Sequence, residues 1–226
     1  MEASGVITSG GKVEEIATKN NFDVIRIPGG MPPRACFGYS FTQLFYILGF
    51  HKLIGENFHK DLRETITLLN EYEPEIRKEA DSLAAKLIGK LPVIYSEARY
   101  EGVAIRFRQQ INENSKMLCW HHVLPEMNHN ELVGWTEKHE EIYVIQLRNA
   151  DDYFRTQKRM EISRDVFSKY TPNYYELHSR GETQLQRSLF LIHLCDWVSW
   201  YIADKKKIDS MEVKVIDHLK TELGKL

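Results

Sequence analysis

The residues best equipped for chemistry lie in two short polar runs, Ile111-Asn112-Glu113-Asn114-Ser115-Lys116 and Leu124-Pro125-Glu126-Met127-Asn128-His129-Asn130-Glu131. Each sets one proton-transfer group, the Glu113 carboxylate or the His129 imidazole, among neutral amides. Asparagine is a poor helix and strand former, but it holds neighbouring side chains through hydrogen bonds. Asn112, Asn114, Asn128 and Asn130 beside one carboxylate and one imidazole therefore predict an organised polar site for moving protons. His129 suits such work because an imidazole near neutrality can both give and take a proton. The competing reading is a pair of turns and helix caps.

The elements that must position these groups come from a chain of 226 residues, 42% hydrophobic and 11% aromatic, which is enough for a packed core in one large domain or two small ones. A formal charge of −2, with basic residues scattered among acidic ones, gives no global case for nucleic acid or an anionic membrane. Any anionic ligand has to be held locally. Cys36, Cys119 and Cys195 are far apart and free of C-x-x-C spacing, so neither a disulfide framework nor a zinc site is expected, and a reducing cytoplasm fits best. The start, Met-Glu-Ala-Ser-Gly-Val-Ile-Thr, has no basic region followed by an apolar core. The most apolar segment, 188–203, is interrupted by His193 and Asp196. No secretion signal or membrane span is expected.

Along the chain, Gly5 to Thr8 reads as a short buried strand, Lys12 to Lys19 as a helix, Val24 to Ile27 as a strand, and Ala35 to about Leu48 as a helix after the rigid Pro28-Gly29-Gly30-Met31-Pro32-Pro33 loop. That is the rhythm of a parallel sheet. So short a stretch of doubly wound structure cannot cover both faces of its own sheet. The expectation is that Met1 follows a missing stretch of strands, or that another chain supplies them. Between Glu56 and Leu87 the apolar spacing predicts two amphipathic helices broken at Pro74, a linker hairpin. After Gly89 the strand and helix rhythm returns: strands at 92–95, 117–123, 142–147 and 174–177, and helices at 98–110, 151–167, 182–203 and 210–223. Both polar runs then fall at element ends, where open α/β sheets place ligands.

With these pieces in place the chain resembles the bifunctional phosphoglucose/phosphomannose isomerases, whose subunit has two sugar isomerase (SIS) domains. The resemblance rests on Thr8-Ser9-Gly10-Gly11-Lys12, Pro32-Pro33-Arg34-Ala35, Asn112-Glu113-Asn114-Ser115-Lys116, the run from Glu126 to Trp135, and Asp196-Trp197-Val198-Ser199-Trp200-Tyr201. It implies an α/β fold of SIS-type doubly wound parallel sheets flanked by helices, with the first domain only partly present. The parts are then the tail of a first SIS domain (1–54), a helical linker (55–89) and a second SIS domain with its C-terminal helix (90–226).

The resemblance also implies interconversion of glucose 6-phosphate, with mannose 6-phosphate as a second aldose, and fructose 6-phosphate through a cis-enediol, without metal or other cofactor. In its terms Glu113 is the base between C1 and C2. His129 helps open the ring and is delivered by the other subunit of a homodimer, and Lys220 reaches the ring oxygen. The chemistry agrees. A proton alpha to a carbonyl is weakly acidic, so a close carboxylate needs a cation near the developing oxyanion. Arg34 suits that task, because a guanidinium is permanently charged and carries a fixed donor fork.

Two departures qualify the likeness. The family's glycine-serine turn and Ser-Tyr-Ser-Gly-Asn-Thr phosphate loop have no counterpart here, which predicts weak substrate affinity for this chain alone. Where the family has Asp-Pro-Thr-Pro, this chain has Asp209-Ser210-Met211-Glu212, which puts the mannose activity in question. The rival expectation is a non-catalytic SIS module that binds a phosphosugar or a partner chain.

Overall fold

The computed structural model describes residues 5–226, so the expectations about the first four residues and about what precedes Met1 lie outside the described residues. The chain divides into two compact units, Met1–Lys60 and Asp61–Leu226.

In the first unit β1 (Gly5–Thr8) and β2 (Asp23–Arg26) pair in parallel, with α1 (Lys12–Lys19) between them in sequence. A short 3-10 turn, Pro33–Cys36, then leads into α2 (Phe37–Phe50). Glycine is required at Gly11, which precedes α1 with φ 74°, a left-handed conformation that a side chain disfavours.

The second unit is a four-stranded parallel sheet of order β4-β3-β5-β6, built from β3 (Leu91–Glu97), β4 (Trp120–Leu124), β5 (Ile142–Arg148) and β6 (Tyr174–His178). The order reverses between β3 and β5, which makes that junction the topological switch point. Alternation along β5 assigns the two faces. Tyr143, Ile145 and Leu147 pack toward α3 (Phe58–Leu87), α4 (Glu101–Ser115) and α7 (Gln184–Lys206), whereas Val144 packs with Tyr95, Met160 and Phe167 on the side of the short helix α5 (Glu126–His129) and of α6 (Phe154–Phe167). A last helix, α8 (Lys214–Leu223), buries none of its residues. Among the described residues no helix is long and apolar enough to cross a membrane.

The expected hairpin at Pro74 is not formed: α3 is one continuous helix with Pro74 inside it. Proline removes one backbone donor and leaves the carbonyl of Asn70, four residues earlier, without its helical partner. Both Pro74 and Asn70 are exposed, so water can satisfy that carbonyl. The apolar stripe runs on through the proline as Leu69, Tyr72, Ile76, Ala80, Leu83 and Leu87, all packed in the core of the second unit. Tertiary burial of that stripe outweighs the local penalty.

All three cysteines are free and buried. Burial pushes the Cys119 thiol up to about 12 and raises that of Cys195 as well.

At the C-terminal edge of the sheet, the switch point is filled by a charged network. Glu97, the last residue of β3, accepts hydrogen bonds from Arg99 Nε (2.7 Å) and from the Tyr153 N–H (2.8 Å) at the start of α6. Asp152 accepts from the Asn149 N–H (2.8 Å) and from the Asn149 amide (3.2 Å). Asp151 pairs with Arg187 of α7 at 2.9 Å and accepts from the Tyr100 hydroxyl at 2.7 Å. Burial opposes charge on both Glu97 and Asp152. Arg99 and the Tyr153 N–H nonetheless hold Glu97 below its ordinary value, whereas burial and the neighbouring Glu97 push Asp152 up to about 7. A carboxyl whose folded pKa is raised contributes stability at low pH, and that contribution is lost as pH climbs through the folded value. Wild type should therefore lose stability relative to Asp152→Asn between pH 5 and pH 8, by on the order of 2 kcal/mol. Parallel thermal melts of the two proteins would show it, and a difference that stays constant across that range would refute the assignment.

Candidate active site

Glu113 lies in the last turn of α4, half-buried. The Asn112 to Ser115 run was expected beyond the helix, yet it is helical, because Asn114 and Ser115 are used in packing α4 against α7. Arg106 and Gln110 both donate to Asp196, through Arg106 Nη2 to Oδ2 at 2.6 Å and Gln110 Nε2 to Oδ1 at 3.0 Å. One turn further on, Asn114 Nδ2 donates to Ser199 Oγ at 3.0 Å, and buried Ser115 Oγ donates to the Ser199 carbonyl at 2.8 Å. Residues 106, 110 and 114 are four apart and so share one face. Lys206 Nζ closes the ladder on the Ser115 carbonyl at 2.7 Å. The helix stops at Lys116, which adopts left-handed φ 51°, and Asn112 Nδ2 ties the exit down by donating to the Met117 carbonyl at 2.8 Å. Glu113 therefore occupies a fixed place on a braced helix end.

His129 ends α5, exposed, just past β4. Its segment is held from three sides: buried Met127 is in the core, Asn128 Nδ2 donates to Ser163 Oγ at 2.7 Å, and Asn130 Nδ2 donates to Glu126 at 2.8 Å. Glu131 ties the next turn to the sheet. It accepts from the buried Tyr95 hydroxyl and stands 2.7 Å from His122 Nδ1. Burial, reinforced by Glu131, raises the Tyr95 phenol, which stays neutral as a donor.

The two proton-transfer groups do not form one cluster within the chain. α4 begins after the C-terminal end of β3 and returns across the sheet, so Glu113 lies at the sheet's N-terminal edge. β4 then runs forward again, and His129 lies at the C-terminal edge. The five residues of β4 separate those edges by roughly 17 Å. Only the His129 segment sits where open α/β sheets place ligands, and this corrects the expectation that both runs do.

Arg34 is half-buried in the Pro33–Cys36 turn and belongs to the first unit. Lys220 is exposed on α8, and its carbonyl accepts the Gly224 N–H. Met211 is exposed in the segment before α8, with its N–H donated to Asp209 at 2.8 Å. At the C-terminal end of α7, Lys205 pairs with Asp81 at 2.6 Å and Lys207 with Asp204 at 3.4 Å, while Lys206 donates to the Ser115 carbonyl. Trp197 and Tyr201 pack against the core, with the Arg77 guanidinium 3.8 Å above the Trp197 ring, whereas Trp200 stays exposed. The described residues contain no group of three or more His, Cys, Asp or Glu side chains arranged to hold a metal ion.

The sequence reading did not single out the brace of Arg106, Gln110, Asp196 and Ser199. A signal for it existed: Arg106, Gln110 and Asn114 form a polar stripe directly beside the apolar stripe of Val103, Phe107 and Ile111. Nothing in the sequence pointed to the link from Tyr95 through Glu131 to His122.

Residues 76–223 match the bacterial phospho-glucose isomerase C-terminal SIS domain. A bifunctional phosphoglucose/phosphomannose isomerase from Caldicellulosiruptor bescii is 38% identical over 97% of this chain and 68% of its own length. One from Aquifex aeolicus is 32% identical over 97% of this chain and 67% of its own. The chain thus spans about two thirds of the length of these relatives. Among solved structures, a glucose-6-phosphate isomerase-like protein from Thermus thermophilus superposes with a TM-score of 0.67 at 17% identity, covering 97% of this chain and 78% of its own, a likeness of fold alone. With the parallel sheet in agreement, these matches lead to one conclusion: the chain belongs to the bacterial phosphoglucose/phosphomannose isomerase family, and the match to that family's C-terminal SIS domain falls within its second unit.

Proposed function

We propose that the chain carries the proton-transfer machinery of an aldose-ketose isomerase that interconverts glucose 6-phosphate, with mannose 6-phosphate as a second aldose, and fructose 6-phosphate. The observation that carries the proposal is the placement of Glu113. Its helix end is locked by side-chain contacts to Asp196 and Ser199, as a base that must meet one carbon of a bound sugar requires. In the forward direction the Glu113 carboxylate takes the proton from C2 of the open-chain aldose. The electron pair of that C–H bond forms the C1–C2 double bond while the π pair of the C1 carbonyl moves onto O1. The hydroxyl proton passes from O2 to O1 through the cis-enediol, the C2 carbonyl forms, and the same carboxyl returns its proton to C1. Arg34 stabilises the oxyanion that develops, and His129 opens the ring with help from Lys220.

The separation of Glu113 from His129 along one sheet supports a homodimer in which each site takes its histidine from the other subunit. A two-fold axis would bring one copy's C-terminal edge to the other's N-terminal edge with a single repeated interface.

Two experiments test this reading. Glu113→Gln, which keeps the shape and removes the base, should lower turnover of fructose 6-phosphate at least about a hundredfold with little change in KM. Isomerisation that survives the change would sink the assignment of the base, and a wild-type chain inactive even with the unmatched third of a relative supplied would favour a non-catalytic binding module. Separately, Glu113→Gln and His129→Asn, each inactive alone, should regain about a quarter of wild-type activity when mixed and allowed to exchange subunits, since half of the dimers then hold one intact site of two. Mixing that restores nothing would place His129 in its own subunit's site.

A further inference from the structure

Arg108, on α4 about two turns before its end, is a half-buried cation with no carboxylate paired to it among the described residues. Its Nε is enclosed and has no hydrogen-bond acceptor, a state that calls for a water or a ligand. The helix dipole does not account for it. The last carbonyls of α4 are already met by Lys116 Nζ, which donates to that of Glu113 at 2.5 Å, and by Lys206 Nζ on that of Ser115. The Arg108 side chain lines a cavity of about 350 Å³ where α4 turns into β4, a size at the lower end of the range for small-molecule sites. Arg108, Asn112 and Lys116, each four residues from the next, form its polar side, and Met117, Leu118 and Trp120 its apolar side. Leu118 is 70% exposed and Trp120 49%, so this apolar surface is open to an occupant. No acidic residue lines the cavity, in a chain with 32 acidic and 30 basic residues. The excess charge is felt close by. Arg108 adds to burial in lowering the His121 imidazole and opposes burial at the Cys119 thiol, while Lys116 adds to burial in lowering the Lys206 ammonium.

We propose that this cavity binds a small organic phosphate, with the phosphate group on Arg108 and Lys116 and the body of the ligand against Trp120 and Leu118. Two cations match a dianion, and the planar fork of a guanidinium meets two phosphate oxygens at once. The indole of Trp120 suits a flat or ring-shaped body. Water alone would satisfy Nε and leave the charge of Arg108 unmatched. Glu113 does not line the cavity, and an occupant rests against the helix end that carries it. The inference stands on the cavity, whether or not Glu113 is the base of an isomerase.

The test titrates the full chain with phenyl phosphate and follows backbone amide and indole resonances by NMR. Saturable shifts are expected across residues 108–120, the Trp120 indole N–H included. Phenyl phosphate should bind at least about fivefold more tightly than inorganic phosphate, because its ring covers Trp120 and Leu118. Benzoate, the same ring on a single negative charge, should bind at least about fivefold more weakly than phenyl phosphate. Arg108→Gln should weaken phenyl phosphate at least about tenfold, and Trp120→Ala should erase its advantage over inorganic phosphate. Arg155→Gln, at an exposed arginine of α6, should change neither. Arg108 Nε holds nothing else in the fold, so Arg108→Gln should melt with wild type. Shifts absent from residues 108–120, binding indifferent to Arg108→Gln or to Trp120→Ala, or benzoate as tight as phenyl phosphate would each overturn the proposal.

Discussion

The constraint on which the second unit depends is the burial of a parallel sheet on both faces. Parallel neighbours demand that every connection travel back the length of the sheet, and helices make that return because they satisfy their own backbone while covering the apolar strands. α4 is such a return, from β3 to β4, and α7, which follows the last strand β6, packs beside it. The ladder from Arg106 to Lys206 forms where they meet, so the rigidity of the Glu113 helix end comes from the fold's need to pack these two helices. The same geometry sends β4 forward again and carries His129 to the far edge. Strand polarity alone therefore keeps the candidate base and the candidate ring-opening group apart in one subunit.

Much of this was legible in the sequence. Lys12–Lys19, Ile142–Arg148 and Tyr174–His178 appear within a residue or two of their expected bounds, because apolar periodicity reflects burial directly. The misreadings share a cause. Pro74 and the Asn112 to Ser115 run were judged by local propensity, and both were overridden by tertiary contacts: the stripe from Leu69 to Leu87 in one case, the Ser199 contacts in the other. The polar brace and the Glu97-Asp152 pair depend on residues tens of positions apart, and no local pattern encodes which of them will meet.

The two units differ in how completely they satisfy the same physics. The second buries its strands on both faces and closes its switch point with a network in which Glu97, Asp151 and Asp152 are each held by named donors. The first has the same alternation of strand and helix, but among the described residues its strands bury no side chain fully and α2 buries only Gly49.

The burial of all three thiols has a consequence for how the molecule's opening can be watched. An enclosed cysteine reacts with an alkylating reagent only in molecules that have locally come apart, and at Cys119 and Cys195 burial disfavours the reactive thiolate as well. Cys36 sits in the first unit, while Cys119 and Cys195 sit in the second. The chain thus carries a native reporter in each unit, and the order in which the three sulfurs acquire label is a residue-by-residue record of which part of the protein yields first.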